Sequence, residues 1–78
     1  MGAIMQADIK AQFGKAVRQR RAELGLSQEK FALLIDMDRT YLASVEAGKR
    51  NVAVLNIQKI ANGLQISVSE LFSLCEKV

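Results

Sequence analysis

The chain has no histidine, no proline, one cysteine and only four aromatic residues among its 78. Without histidine, a His-based catalytic dyad or zinc site is impossible. Cys75 has no partner for an internal disulfide and reads as a small hydrophobe packed on its helix. A carboxylate-only metal site or a lysine nucleophile stays formally open, but nothing is spaced for either. No apolar run approaches the ~18 residues that a membrane span requires. The start, MGAIMQADIK, is too short and too weakly apolar for a secretion signal, and Met1 reads as an alternative start before Met5. These absences point to a cytoplasmic, non-enzymatic protein with no cofactor, no metal, no membrane contact and no evident small-molecule ligand. The lack of proline and scarcity of aromatics favour an all-α chain.

What is present is globular in character: 50% hydrophobic and 24% charged residues. Seventy-eight residues make one domain, residues 1–78, whose core supplies little stability unless the chain dimerises. The net charge of +3 is unevenly spread. Residues 1–52 hold nine Lys/Arg against six Asp/Glu, a net +3, whereas residues 53–78 hold two of each. Lys10, Lys15, Arg18, Arg20 and Arg21 follow one another with no acid between them. A basic first half and a neutral, apolar second half suggest an anion-facing end and a self-association end.

Apolar periodicity divides the chain into five helices. Ile9, Phe13, Val17 and Leu24 share one stripe of a helix over about 9–24, with Asp8 as N-cap and Gly25 as stop. Ser27 caps a second helix that buries Phe31, Leu34 and Ile35, with small Ala32 on the same face allowing close approach. Asp36-Met37-Asp38 interrupts the pattern. Aspartate tolerates left-handed backbone better than most residues, and Asp38 caps a third helix over about 39–47 that buries Leu42 and Val45 and ends at Gly48. A fourth helix over about 54–64 turns Ile57, Ile60, Ala61 and Leu64 inward. It lacks a good cap at Ala53, and Gly63 costs it roughly 1 kcal/mol against alanine. Ser67-Val68-Ser69-Glu70 is a capping box opening the fifth helix.

The second helix, a three-residue turn and the third helix form a compact pair over about 27–47. This is the geometry of a helix-turn-helix, in which the second helix enters the DNA major groove by its N-terminal residues. Spacing alone is weak evidence, since many small helical domains contain such a pair, and the residues sharpen it. "GLSQEKFALLIDMDRTYLASVEAGKRN" resembles the Cro/repressor-type (XRE) helix-turn-helix family, together with the later "IQKIANGL", over about residues 13–72. "DRTYLASVEAGKRNV" is similar to the controller proteins of restriction–modification systems. The resemblance implies a lambda repressor-like five-helix fold and a sequence-specific regulator that binds double-stranded DNA. Antitoxins of toxin–antitoxin pairs and phage-type regulators share much of the pattern, and a helix-turn-helix used only between proteins is a further alternative.

Residue by residue, the resemblance puts Arg39, Thr40 and Ser44 at base-facing positions. It puts Ser27, Gln28, Tyr41, Lys49, Arg50 and Asn51 at DNA-backbone positions, and makes Arg21 and Glu46 a structural pair joining the first and third helices. The chemistry agrees. Arg39 can donate two parallel hydrogen bonds to guanine O6 and N7, and the Thr40 methyl can pack on thymine. Ser44, four residues after Thr40, shares that face. Gln28 sits at a helix N-terminus, where backbone N–H groups favour phosphate. Lys10 and Lys15 read as solvated, and Met37, Phe31, Phe13 and Phe72 as core.

Three positions depart from the family pattern. Asp36 replaces the usual turn glycine, and Ala53 the usual small capping residue. Arg20 stands where an aliphatic residue is common, so either the first helix buries less or Arg20 reaches a phosphate or a partner. Dimerisation is expected through the fifth helix, about 68–77, where Phe72, Leu74 and Val78 would be covered by a second copy. A homodimer of this kind implies a roughly palindromic operator.

Overall fold

The computed structural model describes residues 8–77. Five helices follow one another: α1 (Ile9–Glu23), α2 (Gln28–Leu34), α3 (Arg39–Glu46), α4 (Val54–Gly63) and α5 (Val68–Lys77). No strand occurs among the described residues. Val78 and the residues before Asp8, including the two candidate starts, lie outside them.

Local chemistry starts four of the five helices. The carboxylate of Asp8 accepts from the Lys10 amide, the Ser27 hydroxyl from Lys30 and the Asp38 carboxylate from Tyr41, each at 3.1 Å. Ser67 and Glu70 cap each other reciprocally, with the Glu70 amide donating to Ser67 Oγ (3.0 Å) and the Ser67 amide to Glu70 Oε1 (2.9 Å). Only α4 starts without a side-chain cap, as Ala53 led us to expect.

The first four helices all end in one way. The residue after the C-cap turns left-handed, and the next amide reaches back to the carbonyl five positions earlier: Leu26 to Arg21, Met37 to Ala32, Lys49 to Ser44 and Ile66 to Ala61. The left-handed residues are Gly25 (φ 72°), Asp36 (53°), Gly48 (75°) and Gln65 (63°). Glycine does this at no steric cost, and aspartate more readily than most residues. Gln65 has no such relief.

α1 packs along α3 and α5, α2 against α3, and α4 against α5. Val17, Phe31, Leu42, Val45, Ile60, Leu64, Leu71 and Cys75 are fully buried where these helices meet. Two glycines set the spacing. A Cβ on Gly14 would collide with the carbonyl oxygens of Val45 and Glu46, so α1 touches the α3 backbone directly. A Cβ on Gly63 would strike Ile35 and Phe31, so the helix-propensity cost of Gly63 is offset by the close approach of α4 to α2.

Several burial expectations need correction. Leu34 is 61% exposed rather than buried. At about 100° per residue it lies roughly 60° to one side of Phe31, whereas Ala32 and Ile35 lie on the other side and fix the buried stripe there. Ile9 follows the α1 stripe but sits at the helix end, largely in solvent. On α5, where Phe72 and Leu74 were expected to be covered by a second copy, both are half-buried against this chain's own core, and the Phe72 ring sits 5.6 Å from that of Phe13. The most exposed apolar residues of the second half are instead Val54 (81%) and Leu55 (73%), at the start of α4.

Arg20 has a structural task. Its Nε donates to the Leu64 carbonyl (3.1 Å) and its Nη1 to Glu23 (3.4 Å), closing the C-terminal end of α4. Lys59 does the same for α2, donating to the Asp36 carbonyl at 3.0 Å.

Candidate nucleic-acid interface

With Leu42 and Val45 buried, helical geometry turns Thr40, Ala43 and Ser44 to the opposite side of α3. Arg39 and Thr40 are exposed, and Ser44 is half-buried. The left-handed turn at Gly48 then carries the chain off α3. Glycine is required there twice over, because a Cβ would also press on the backbone of Ala11. In α1, α2 and α4 the residue after the left-handed turn is apolar and packs on the core (Leu26, Met37, Ile66). After α3 it is Lys49, exposed and followed by exposed Arg50 and Asn51. The same backbone device thus turns three chain segments inward and one cationic segment outward.

Arg50 does not hang free in solvent. Its guanidinium lies 4.6 Å from the centroid of the Tyr41 ring, a cation–π contact, and its Nε donates to Ser44 Oγ at 3.1 Å. The Ser44 hydroxyl in turn donates to the Tyr41 carbonyl at 2.6 Å. Tyr41, Ser44 and Arg50 therefore form one cluster on α3, which sequence spacing did not disclose, because Arg50 reaches back only through the Gly48 turn.

Behind α3 the Arg21 guanidinium grips Glu46 with two bonds, Nε to Oε2 (2.7 Å) and Nη2 to Oε1 (2.8 Å). Its Nη1 donates to the Leu26 carbonyl (2.8 Å), and the Gln28 amide adds a bond to Glu46 Oε1 (3.1 Å). The hydrogen bond to Glu46 raises the Arg21 pKa above its ordinary value, against the opposing effect of burial. The Glu46 side chain is 4% exposed. Removing either partner would strand a charge in a poorly solvated place. This network ties the start of α2 and the end of α3 to α1, and so fixes the angle at which α3 is presented.

Gln28 is drawn into this network and keeps one amide hydrogen for an outside acceptor. Ser27 accepts a bond as cap and keeps its hydroxyl hydrogen. Arg18, exposed on α1, shares a shallow cleft with Gln28, Ala43 and Ala47. Its place three residues before Arg21, on the α3 side of α1, was the available signal. The structure gathers Arg39, Thr40, Tyr41, Ser44, Lys49, Arg50 and Asn51 on α3 and the segment after it. Phe72 and Leu74 stand apart on α5.

A short helix, a tight left-handed turn and a second helix with an open polar face flanked by cations define a helix-turn-helix of the DNA-binding kind. A helix-turn-helix family profile matches residues 17–71. The control protein C.MunI of Mycoplasma sp is 55% identical over 71 residues, covering 90% of this chain and 96% of that protein. The crystal structure of the restriction-modification controller protein C.AhdI from Aeromonas hydrophila matches with 47% identity and a TM-score of 0.77, over 80% of this chain and 94% of that one. The controller protein C.Esp1396I, solved as a tetramer in complex with its natural 35 base-pair operator, matches with 28% identity and a TM-score of 0.81, over 88% and 91%. The chain belongs to the helix-turn-helix family, among the restriction–modification controller proteins.

Proposed function

We propose that this chain is a transcriptional regulator, the controller of a restriction–modification system, which binds a roughly palindromic operator as a homodimer and performs no chemistry on it. The observation that carries this reading is the outer face of α3, where exposed Arg39 and Thr40 and half-buried Ser44 lie between a buried anchor at Glu46 and the cations Lys49 and Arg50. Arg39 reads guanine, and Thr40 packs against thymine. Ser27, Gln28, Tyr41, Lys49, Arg50 and Asn51 hold the phosphates on either side, and Arg18 adds to that set. Such a protein works where the chromosome is, in the cytoplasm, and no helix of the described residues is long and apolar enough to cross a membrane.

The second copy is proposed to dock on the C-terminal half. Val54 and Leu55 stand in solvent there, and Leu74 lines a shallow groove with Ile66 and Ser73. A two-fold dimer would set two α3 helices about one DNA turn apart, ~34 Å. Titrating labelled duplexes with the chain at rising salt tests the reading. Binding should weaken steeply with salt as counterions are released. A fold used only between proteins would show no salt-dependent duplex binding.

A further inference from the structure

Ser44 is a base-facing side chain whose hydrogen-bonding capacity is already partly committed. A serine hydroxyl has one hydrogen to donate and two lone pairs to accept with. The Tyr41 carbonyl can only accept, so at 2.6 Å the Ser44 hydrogen is directed to it. The Arg50 Nε can only donate, so at 3.1 Å it occupies one lone pair. The guanidinium is itself held in place over the Tyr41 ring. One lone pair remains.

We propose that Ser44 reads DNA solely as an acceptor and therefore selects a base amino group. This rests on the reading of α3 as the recognition helix. In the major groove, the amino groups are adenine N6 and cytosine N4, whereas guanine presents N7 and O6 and thymine presents O4, all acceptors. An unconstrained serine would rotate its hydroxyl to suit either kind of edge. With its hydrogen fixed on Tyr41, Ser44 tolerates adenine or cytosine on the strand it faces and disfavours guanine or thymine there. The signature is a two-fold degenerate position in each half-site, beside the single-base position read by Arg39.

Selection from a randomised duplex pool, run in parallel with the wild type, Ser44→Ala and Arg39→Ala, locates the position. Ser44→Ala should flatten one position per half-site at which the wild type accepts adenine and cytosine about equally. The selected duplex is then remade with 2-aminopurine for adenine at that position, which keeps the pair with thymine but moves the amino group to the minor groove. Wild-type binding should weaken about three- to ten-fold, the worth of one hydrogen bond, while Ser44→Ala binds both duplexes equally. If Ser44→Ala leaves every position unchanged, or the analogue costs the wild type nothing, the acceptor assignment is wrong although α3 still reads DNA. If the wild type enriches no motif at all, the DNA-binding reading fails with it.

Discussion

Arg50 and Val54 are four residues apart, yet they open two surfaces of opposite character. On the α3 side the polar groups are held before any ligand arrives. Arg50 is stacked on Tyr41 and bonded to Ser44, and Glu46 carries bonds from Arg21 and Gln28. On the α4 side the first turn has no side-chain cap, and its two leading residues, Val54 and Leu55, project into solvent. One surface is preorganised for a rigid anionic partner, which lowers the ordering cost of binding. The other, in the proposed dimer, is covered by a second copy, which adds to the stability of a chain this short.

The largest effect should come from breaking the anchor behind the cationic surface. Glu46→Ala strands Arg21 in a half-buried site and is expected to cost about 3–5 kcal/mol in urea unfolding. A loss within a few tenths of that of an ordinary surface substitution would show that the pair does not hold α3 in place. On the opposite surface, Leu55→Glu changes a residue that is 73% exposed and should leave the fold intact. It should nevertheless give a monomer in sedimentation at micromolar concentration and weaken operator binding on the order of 100-fold by removing the linked second half-site. An unchanged dimer would move the contact elsewhere, first to Leu74.

Within the cationic surface two residues should separate. Arg39→Ala is expected to cost about 1–3 kcal/mol on the selected duplex and to relax one position, leaving scrambled duplexes little affected. Lys49→Ala should weaken all duplexes alike and reduce the salt slope by about 1. Equal losses of Arg39→Ala on both kinds of duplex would reassign that residue to the backbone. A smaller effect lies in the C-terminal half: Gln65→Gly relieves a left-handed residue and should stabilise by about 1 kcal/mol, read as a raised melting temperature.

The smallest effect is pH-dependent. The Ser67 backbone N–H, and then the Ser67 hydroxyl, hold the Glu70 carboxyl below its ordinary value. The folded value being the lower one, this contribution is present above the unfolded carboxylate range and is lost as pH falls through the folded value. Glu70→Ala should therefore melt slightly below the wild type at neutral pH, and the two curves should converge in acid. A gap that persists in acid would mean that the carboxylate charge contributes nothing.

The sequence announced those features that are local. Asp8, Ser27, Asp38 and the Ser67–Glu70 pair each satisfy amides within three residues, so helix starts can be read one residue type at a time. The Arg21–Glu46 pair spans 25 residues and was suggested only by resemblance to a family. What stayed hidden depends on three-dimensional placement. Leu34 shares the helical spacing of a core residue but stays in solvent, because the axis of the α2 stripe is set by Ala32 and Ile35. The close packing that Gly14 permits depends on where α3 crosses α1. Arg20, for which the sequence offered a less buried helix or a reach to a phosphate or partner, instead donates to the Leu64 carbonyl, as Lys59 does to that of Asp36. The left-handed turn at Gln65 has no local signal, because none of the residue types that favour that conformation stands there.

That the two surfaces act together is tested most directly by comparing a selected palindromic duplex with a duplex carrying one of its half-sites. Titration with sedimentation of the complexes gives affinity and stoichiometry at once. Two wild-type chains should occupy the palindrome, binding it on the order of 100-fold more tightly than the half-site, and Leu55→Glu should abolish the difference. A single chain per palindrome with the same affinity as for the half-site would contradict the account.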